Sequence, residues 1–380
     1  MRLYNVRTLR AQGLTAPMTV ELPINDADDR DASGLILSPG WMDLHAHLRD
    51  PGFSEKETLA TACASAAFGG FTHVVAMANT SPVTDRPELL RNLVARAEIQ
   101  PVRVSFVGAL TVGLEGQQLT DAVALRAAGA VALSDDGRHA LDRTTLRRAM
   151  EGAAVAGIPV FIHPQKESLG SAPEAENAAV EEALEVLREV PRARLHLQHI
   201  STQAAAGMVA DAKRDGLWLT AEATPHHLAL TAEDAAGVAP AGNVNPPLRS
   251  RRDRDCLVEA VAAGVIDVIA TDHAPHEAAA KAAGANGFHG FETAMGVVLG
   301  LGLDDRVLYR ACVQRPRQIV GQPIDDEWTL IDPELDWTVD ASSFRSRGKN
   351  TPFEGRRLRG RVVMTACAGQ VLFERMVQRV

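Results

Sequence analysis

Short apolar, β-branched runs alternate with Ala/Leu/Glu/Arg-rich stretches of helical period through most of the 380-residue chain. The runs at 36–44, 73–78, 103–109, 130–134, 159–162, 195–198, 217–221 and 266–271 read as strands. Helical patterns lie between them at 56–68, 86–98, 120–128, 142–156, 174–189, 202–214 and 251–263, and two more follow at 293–300 and 304–314. Eight strands separated by helices predict an α/β chain built as a (β/α)8 barrel, in preference to a doubly wound sheet of the same units. The two ends break this rhythm. Residues 1–35 hold an alternating run, MTVELPI, and the polar turn NDADDRDASG, while 336–380 hold DWTVD, RLRGRVVMTACAG and QVLFERMV. Neither end has the material for its own core. The expectation is a small β domain assembled from 1–38 and 324–380, packed against a barrel at 39–323.

Composition narrows the class. With 46% hydrophobic and 23% charged residues the chain reads as a soluble globule. Thirty-nine basic against 48 acidic residues, a formal charge of −9, argue against nucleic acid as a partner, whose binding rests on basic groups. Glycine-rich phosphate loops and a G-x-S-x-G elbow do not occur. Cys63, Cys256, Cys312 and Cys367 are too scattered for a disulfide framework or thiolate metal site, and read as free thiols of a reducing compartment. No charged residue occurs from Thr58 to Thr84, a span long enough to cross a bilayer. Gly69-Gly70, His73, Asn79 and Pro82 make it a buried helix, turn and strand instead. With no apolar leader in MRLYNVRTLRAQG, the expectation is a cytoplasmic protein that does not engage membranes.

The polar residues that matter stand at strand ends. In Asp43-Leu-His45-Ala-His47-Leu-Arg49, an extended backbone turns His45 and His47 the same way, so both imidazoles can meet one metal, with Asp43 in support. Asp136 follows VALSD, His163 follows PVFI, His199 follows LHLQ and Asp272 follows IDVIAT. All lie at the C-terminal edge of predicted strands, where barrel enzymes carry their chemistry. Six such groups exceed the three or four protein ligands of one zinc, and two ions bridged by a carboxylate account for the surplus. No lysine lies near the end of the fourth strand; the carboxylates there are Asp135 and Asp136. Arg49 shares the parity of His47 and suits a substrate carboxylate. Asn79 and Asn245 stand at loop starts, and the Ala/Gly-rich 273–292 segment reads as a lid carrying His276 into the site. His196, three residues before His199, is expected to pack or hydrogen-bond against a helix. His73, at a strand start, is expected on the opposite face. His139, His226, His227, His273 and His289 show no such convergence.

The chain resembles the dihydroorotases of the amidohydrolase superfamily, in their longer bacterial type. The resemblance runs from about Ser38 to Leu330, with NTPFEGRRLRGRV beyond. DLHAHLRDPG carries it, together with Asn79-Thr80, Ser134-Asp135-Asp136-Gly137, His199-Ile-Ser-Thr202, Glu222-Ala-Thr-Pro-His-His227, Asn245-Pro-Pro-Leu-Arg249 and Thr271-Asp-His-Ala-Pro-His276. It implies His45, His47, Asp136, His163, His199 and Asp272 as metal ligands, with Asp136, not Asp135, where many relatives use a carboxylated lysine. It implies one or two zinc ions per subunit, two being favoured. Arg49, Asn79, Asn245 and His276 become substrate contacts, and Gly287, Phe288, His289 and Gly290 fall where the backbone approaches the ring. The implied reaction is the reversible closure of N-carbamoyl-L-aspartate to L-dihydroorotate in pyrimidine synthesis, by metal-activated hydroxide attack with Asp272 moving the proton. The resemblance also allows a homodimer and association with aspartate carbamoyltransferase. The family often has His-Cys-Glu-Asp after the fifth strand, whereas this chain has His163-Pro164-Gln165-Lys166. The ligand is kept while the local charge changes. Hydantoinases and allantoinases, the nearest rivals, commonly use the bridging lysine and need no partner for a side carboxylate. A non-catalytic scaffold would be expected to lose metal-site histidines, and none is lost.

Overall fold

The computed structural model describes residues 1–24, 28–138 and 141–375. Eight parallel strands follow in order of sequence: Trp41–Ala46, Phe71–Ala76, Arg103–Gly108, Ala130–Ser134, Val160–Ile162, Leu195–Leu197, Leu219–Ala223 and Val268–Ile269. A parallel bridge between Ala46 and His273 joins the last strand end to the first, closing the predicted barrel. Met42, Leu44, Val75, Met77, Val107, Phe161 and Val268 fill its interior. A larger apolar layer seats the helices outside, with Leu90, Leu93, Leu146, Val180, Leu184 and Val209 buried in it.

The helices begin and end where local chemistry dictates. Thr58, Asp142, Thr202 and Ser250 cap helix N-termini by accepting from backbone N–H groups of the first turn. Gly157 and Gly264 end two of them in the left-handed conformation. The stretch 304–314 is less regular than its pattern predicts, because the helix Asp305–Tyr309 runs through a π turn at Arg310–Gln314 into Arg315–Val320.

A second, mixed sheet joins the chain ends. Arg2–Arg10 lies beside Ile36–Pro39, which pairs with Glu327–Thr338, followed by Arg357–Cys367 and Gln370–Glu374. The 36–44 run is therefore two strands instead of one. Ile36–Pro39 belongs to this sheet and Trp41–Ala46 to the barrel, with Gly40 between them. A Cβ at Gly40 would fall 1.9 Å from Thr72 Oγ1, so only glycine passes this corner. The strand expected at 217–221 starts later. Leu217 N–H is spent on the Ala212 carbonyl closing the preceding helix, and the shift brings Glu222 into the strand.

Glu327 fastens the two sheets together. It accepts from the wholly buried Arg317 guanidinium and from Thr72 Oγ1 at 2.8 Å, and lies 2.9 Å from Arg103 Nε. Arg317 also donates to the Gly40 carbonyl at 2.9 Å. Removing one partner of a buried ion pair strands the other charge, at a cost of roughly 3–5 kcal/mol. Glu327→Ala should lose that much in denaturant unfolding, and a loss below about 1 kcal/mol would contradict this role for the junction.

Candidate active site and metal centre

Barrel closure places the first histidine pair. The Ala46 carbonyl accepts from Met77 N on one side, and His47 N donates to the His273 carbonyl at 2.8 Å on the other. The intervening segment is thus held at both flanks. His45 Nε2 and His47 Nε2 each lie 3.3 Å from Asp136 Oδ2. Asp272 Oδ1 sits 3.0 Å from His47 Nε2 and 3.5 Å from His45 Nε2. Across the mouth, His163 Nδ1 and His199 Nε2 are 2.8 Å apart, and face Asp136 Oδ1 at 3.5 and 3.7 Å. One carboxylate thus stands between two imidazole pairs, one pair to each oxygen.

These groups fit a pair of metal ions. His45, His47 and Asp136 form one candidate metal-holding triad, and Asp136, His163 and His199 form another. Asp136 Oδ1 and His199 Nδ1 are buried without a hydrogen-bond partner. Burial works against ionised Asp136, yet the surrounding imidazoles, His45 foremost, hold its carboxyl well below the usual range. Asp272 is lowered likewise, with burial opposed by His45 and His47. Several ionised carboxylates in a dry site demand matching positive charge, which divalent cations supply while leaving imidazoles neutral. The mixed nitrogen and oxygen donor set suits a borderline metal.

The cavity above Asp136 measures about 270 Å³, small for a ligand site. His47, Asp136, His163, His199 and Asp272 reach it, and so do Arg49, Asn79, Asn245, His276 and Gly287. His45 lies wholly buried behind them. Burial draws the Arg49 guanidinium down to about 10, with Asp272 and Asp136 opposing, so it stays cationic near neutrality. Burial and Arg49 push His276 down to about 4, so the neutral ring faces Arg49 Nη2 across 3.3 Å. Asn79 Oδ1 is 2.9 Å from His47 Nδ1, leaving its amide N–H₂ as the end open to an acceptor. Arg49, His199 and Asp272 have φ of 61°, 29° and 48°, a left-handed region that L side chains enter at a cost.

Other expectations are placed differently. Phe288, His289 and Gly290 do not line the cavity. Phe288 packs on His226, His289 on Phe344, and Gly290 N donates to His273 Nδ1 at 3.2 Å. Asp43 supports the site through the backbone; it accepts from His45 N and from Thr271 N at 3.3 and 2.9 Å, tying the first strand to the last. Asp135 faces the neighbouring strand end, accepting from Leu110 N and Thr111 N at 2.8 and 3.0 Å. His196 bonds to Thr220 Oγ1 and Glu222 Oε2 at 2.8 and 3.0 Å, so its partners are on the next strand and not on a helix. His73 bonds to Ser105 Oγ at 2.8 Å. His139 lies outside the described residues.

Glu222 has a role that reasoning from strand ends left unassigned. Its Oε1 lies 2.5 Å from His45 Nδ1 and 3.2 Å from His199 N, so it orients one member of each pair. The signal was present: Glu222 follows its predicted strand immediately, as Asp272 does. The 273–292 segment is tied down by Lys281, whose Nζ donates to the carbonyls of Asn243, Ala285 and Gly287 at 2.8, 3.0 and 2.7 Å.

Comparison with known proteins agrees with this geometry. Residues 34–173 match the family model described as dihydro-orotase-like. A dihydroorotase of Anaeromyxobacter dehalogenans is 41% identical over 390 residues, spanning 93% of this chain and 90% of that protein. The chain belongs to the dihydroorotase family. A second family member, the dihydroorotase of Bacillus caldolyticus, is 39% identical over 96% of this chain and 93% of its own length. Among solved structures, the L-hydantoinase (dihydropyrimidinase) of Arthrobacter aurescens superimposes with a TM-score of 0.87 at 23% identity, covering 100% of this chain and 97% of that one. That likeness speaks for the shared fold. Within the family frame, an aspartate and not a carboxylated lysine stands between the histidine pairs.

A carboxylate that orients a metal-binding imidazole typically contributes ten- to a hundredfold in metal affinity. Glu222→Gln should weaken metal retention against a chelator by about that factor while the protein stays folded. Unchanged retention would contradict the role given to Glu222.

Proposed function

We propose that this chain is a dihydroorotase, a metal-dependent cyclic amidohydrolase that interconverts N-carbamoyl-L-aspartate and L-dihydroorotate in pyrimidine synthesis. One observation carries the reading: a buried cationic Arg49 faces the same small cavity as Asp136 and its two histidine pairs. A cyclic amide bearing a side carboxylate needs both features. Zinc is the metal we assign, on the donor set, with Asp272 joining the first triad. Bound there, the ions supply Lewis acidity and an activated water.

The chain's own residues do the rest. Arg49 and the free N–H₂ of Asn79 hold the carboxylate attached to the ring. Gly137 leaves room for that amide, since a Cβ there would come within 2.7 Å of Asn79 Nδ2. Asn245 and His276 order the remaining polar atoms. In the hydrolytic direction water adds to the ring amide carbonyl beside the methylene carbon, and the C–N bond breaks. Asp272, ionised and open to the cavity over a tenth of its side chain, takes the proton of the attacking water and delivers it to the departing nitrogen. Ring closure runs the same steps backwards.

A hydantoinase reading shares the fold but leaves Arg49 without a purpose, and a scaffold reading leaves the intact histidine pairs without one. We assign the protein to the cytoplasm, a placement compatible with the lack of any helix, among the described residues, long and apolar enough to cross a membrane. A homodimer and association with aspartate carbamoyltransferase belong to the same proposal, on the family resemblance alone.

Purified, zinc-restored protein should interconvert L-dihydroorotate and N-carbamoyl-L-aspartate and leave hydantoin and allantoin untouched. Folded, metal-loaded protein inert toward all three would contradict the assignment. Arg49→Ala should raise KM ten- to a hundredfold, as expected for loss of a charged hydrogen bond of roughly 1.5–3 kcal/mol, with metal content unchanged. Asp272→Asn should lower kcat by about 10²–10⁴ and loosen a metal as well. Identical kinetic and metal profiles for the two variants would refute this division of labour.

A further inference from the structure

Gln165, half-buried at the rim of the site, makes three side-chain contacts. Its Nε2 donates to the Gly170 carbonyl at 2.7 Å. Its Oε1 lies 2.9 Å from His163 Nε2 and 2.7 Å from Asn245 Nδ2. A backbone carbonyl only accepts, so Gly170 fixes which way the amide faces, nitrogen outward and oxygen toward the site. An amide oxygen also only accepts. His163 Nε2 therefore donates to this oxygen, a pairing shorter than its 3.2 Å contact with Asn245 Nδ2, whose own proton goes to Gln165 Oε1 at 2.7 Å. In the neutral, metal-holding imidazole this leaves the Nδ1 lone pair facing Asp136 Oδ1 at 3.5 Å and His199 Nε2 at 2.8 Å. The same oxygen takes an N–H of Asn245, leaving the Asn245 carbonyl as the end that can accept from a ring N–H of the substrate.

We propose that Gln165 is a positioning residue that couples the two halves of the active site through one atom. Its Oε1 sets the tautomer of His163 for the His163/His199 side of the metal centre and, at the same time, the orientation of Asn245 toward the substrate. The inference rests on the two-metal cyclic amidohydrolase reading given above. Neighbouring charge does not do this work: Lys166 pairs with Glu182 at 2.6 Å. Gln165 thus links a metal-facing imidazole and a substrate-facing amide without adding charge. A glutamate in its place would keep the acceptor for both but set a carboxylate against the Gly170 carbonyl. A methionine would keep the approximate bulk and lose the acceptor.

The test compares wild type, Gln165→Met and Gln165→Glu as full-length chains, by zinc titration against a competing chelator and by KM and kcat for L-dihydroorotate. Gln165→Met should weaken the more loosely held zinc at least tenfold, in the range usual for partners of metal-binding imidazoles, and raise KM severalfold more than it lowers zinc-saturated kcat. Gln165→Glu should restore zinc affinity to within about threefold of wild type. Wild-type zinc affinity and KM in Gln165→Met, with or without a change in melting temperature, would overturn the proposal. Nitrogen-15 NMR of the zinc-loaded wild-type imidazoles tests it without any variant: His163 should be protonated at Nε2, and protonation at Nδ1 would overturn it. Wild type that takes up no zinc and turns over no dihydroorotate would bring down the parent reading and this one with it. Wild type that does both, beside an unaffected methionine variant, would bring down only the role of Gln165.

Discussion

The structure turns on one buried carboxylate that has to serve two sides at once. Asp136 is surrounded by four imidazoles, and its oxygens divide them, Oδ2 to His45 and His47 and Oδ1 to His163 and His199. A carboxylate so far from water stays ionised only because positive charge or hydrogen-bond donors meet it. That requirement fixes how the surrounding strands must end. The first, fifth and sixth strands each bring histidine to the same level, and the fourth brings Asp136. The second tier then holds the imidazoles in aim, with Glu222 on His45, Asn79 on His47 and Gln165 on His163.

The barrel makes this convergence possible, and its closure is part of the site. The bridge between Ala46 and His273 lies between the first histidine pair and Asp272, so joining the last strand to the first also joins two sets of candidate ligands. Asp43 reinforces the join from behind by holding both His45 N and Thr271 N. The left-handed backbone at Arg49, His199 and Asp272 is the conformational cost of turning these side chains inward, offset by the ordered elements around them. The buried charge of Arg49 shares one small polar cavity with the candidate metal ligands. An uncharged cyclic amide would leave that charge unmatched.

Much of this was legible in the chain itself. Period and turn chemistry gave the eight strands, and the C-terminal strand ends gave Asp136 and the five groups that meet around it, because both follow from local geometry. What escaped depends on contacts distant in sequence. Gly40 splits one apolar run into strands of two different sheets because Thr72 leaves no room for a side chain, a constraint set by another strand. His196 turns to Glu222, not to a helix, and Glu222 owes its importance to His45, 177 residues away. The neighbourhood of His163 shows the same limit. Pro164-Gln165-Lys166 reads as a change of local charge in the sequence, and only the Gly170 carbonyl and Asn245 show how the neutral amide is used.

Anomalous diffraction from zinc-loaded crystals at the zinc absorption edge would locate the metals relative to Asp136. Two peaks should flank Asp136, one bounded by His45 and His47 and the other by His163 and His199. A single peak, or a second one away from Asp136, would contradict a centre built on that carboxylate.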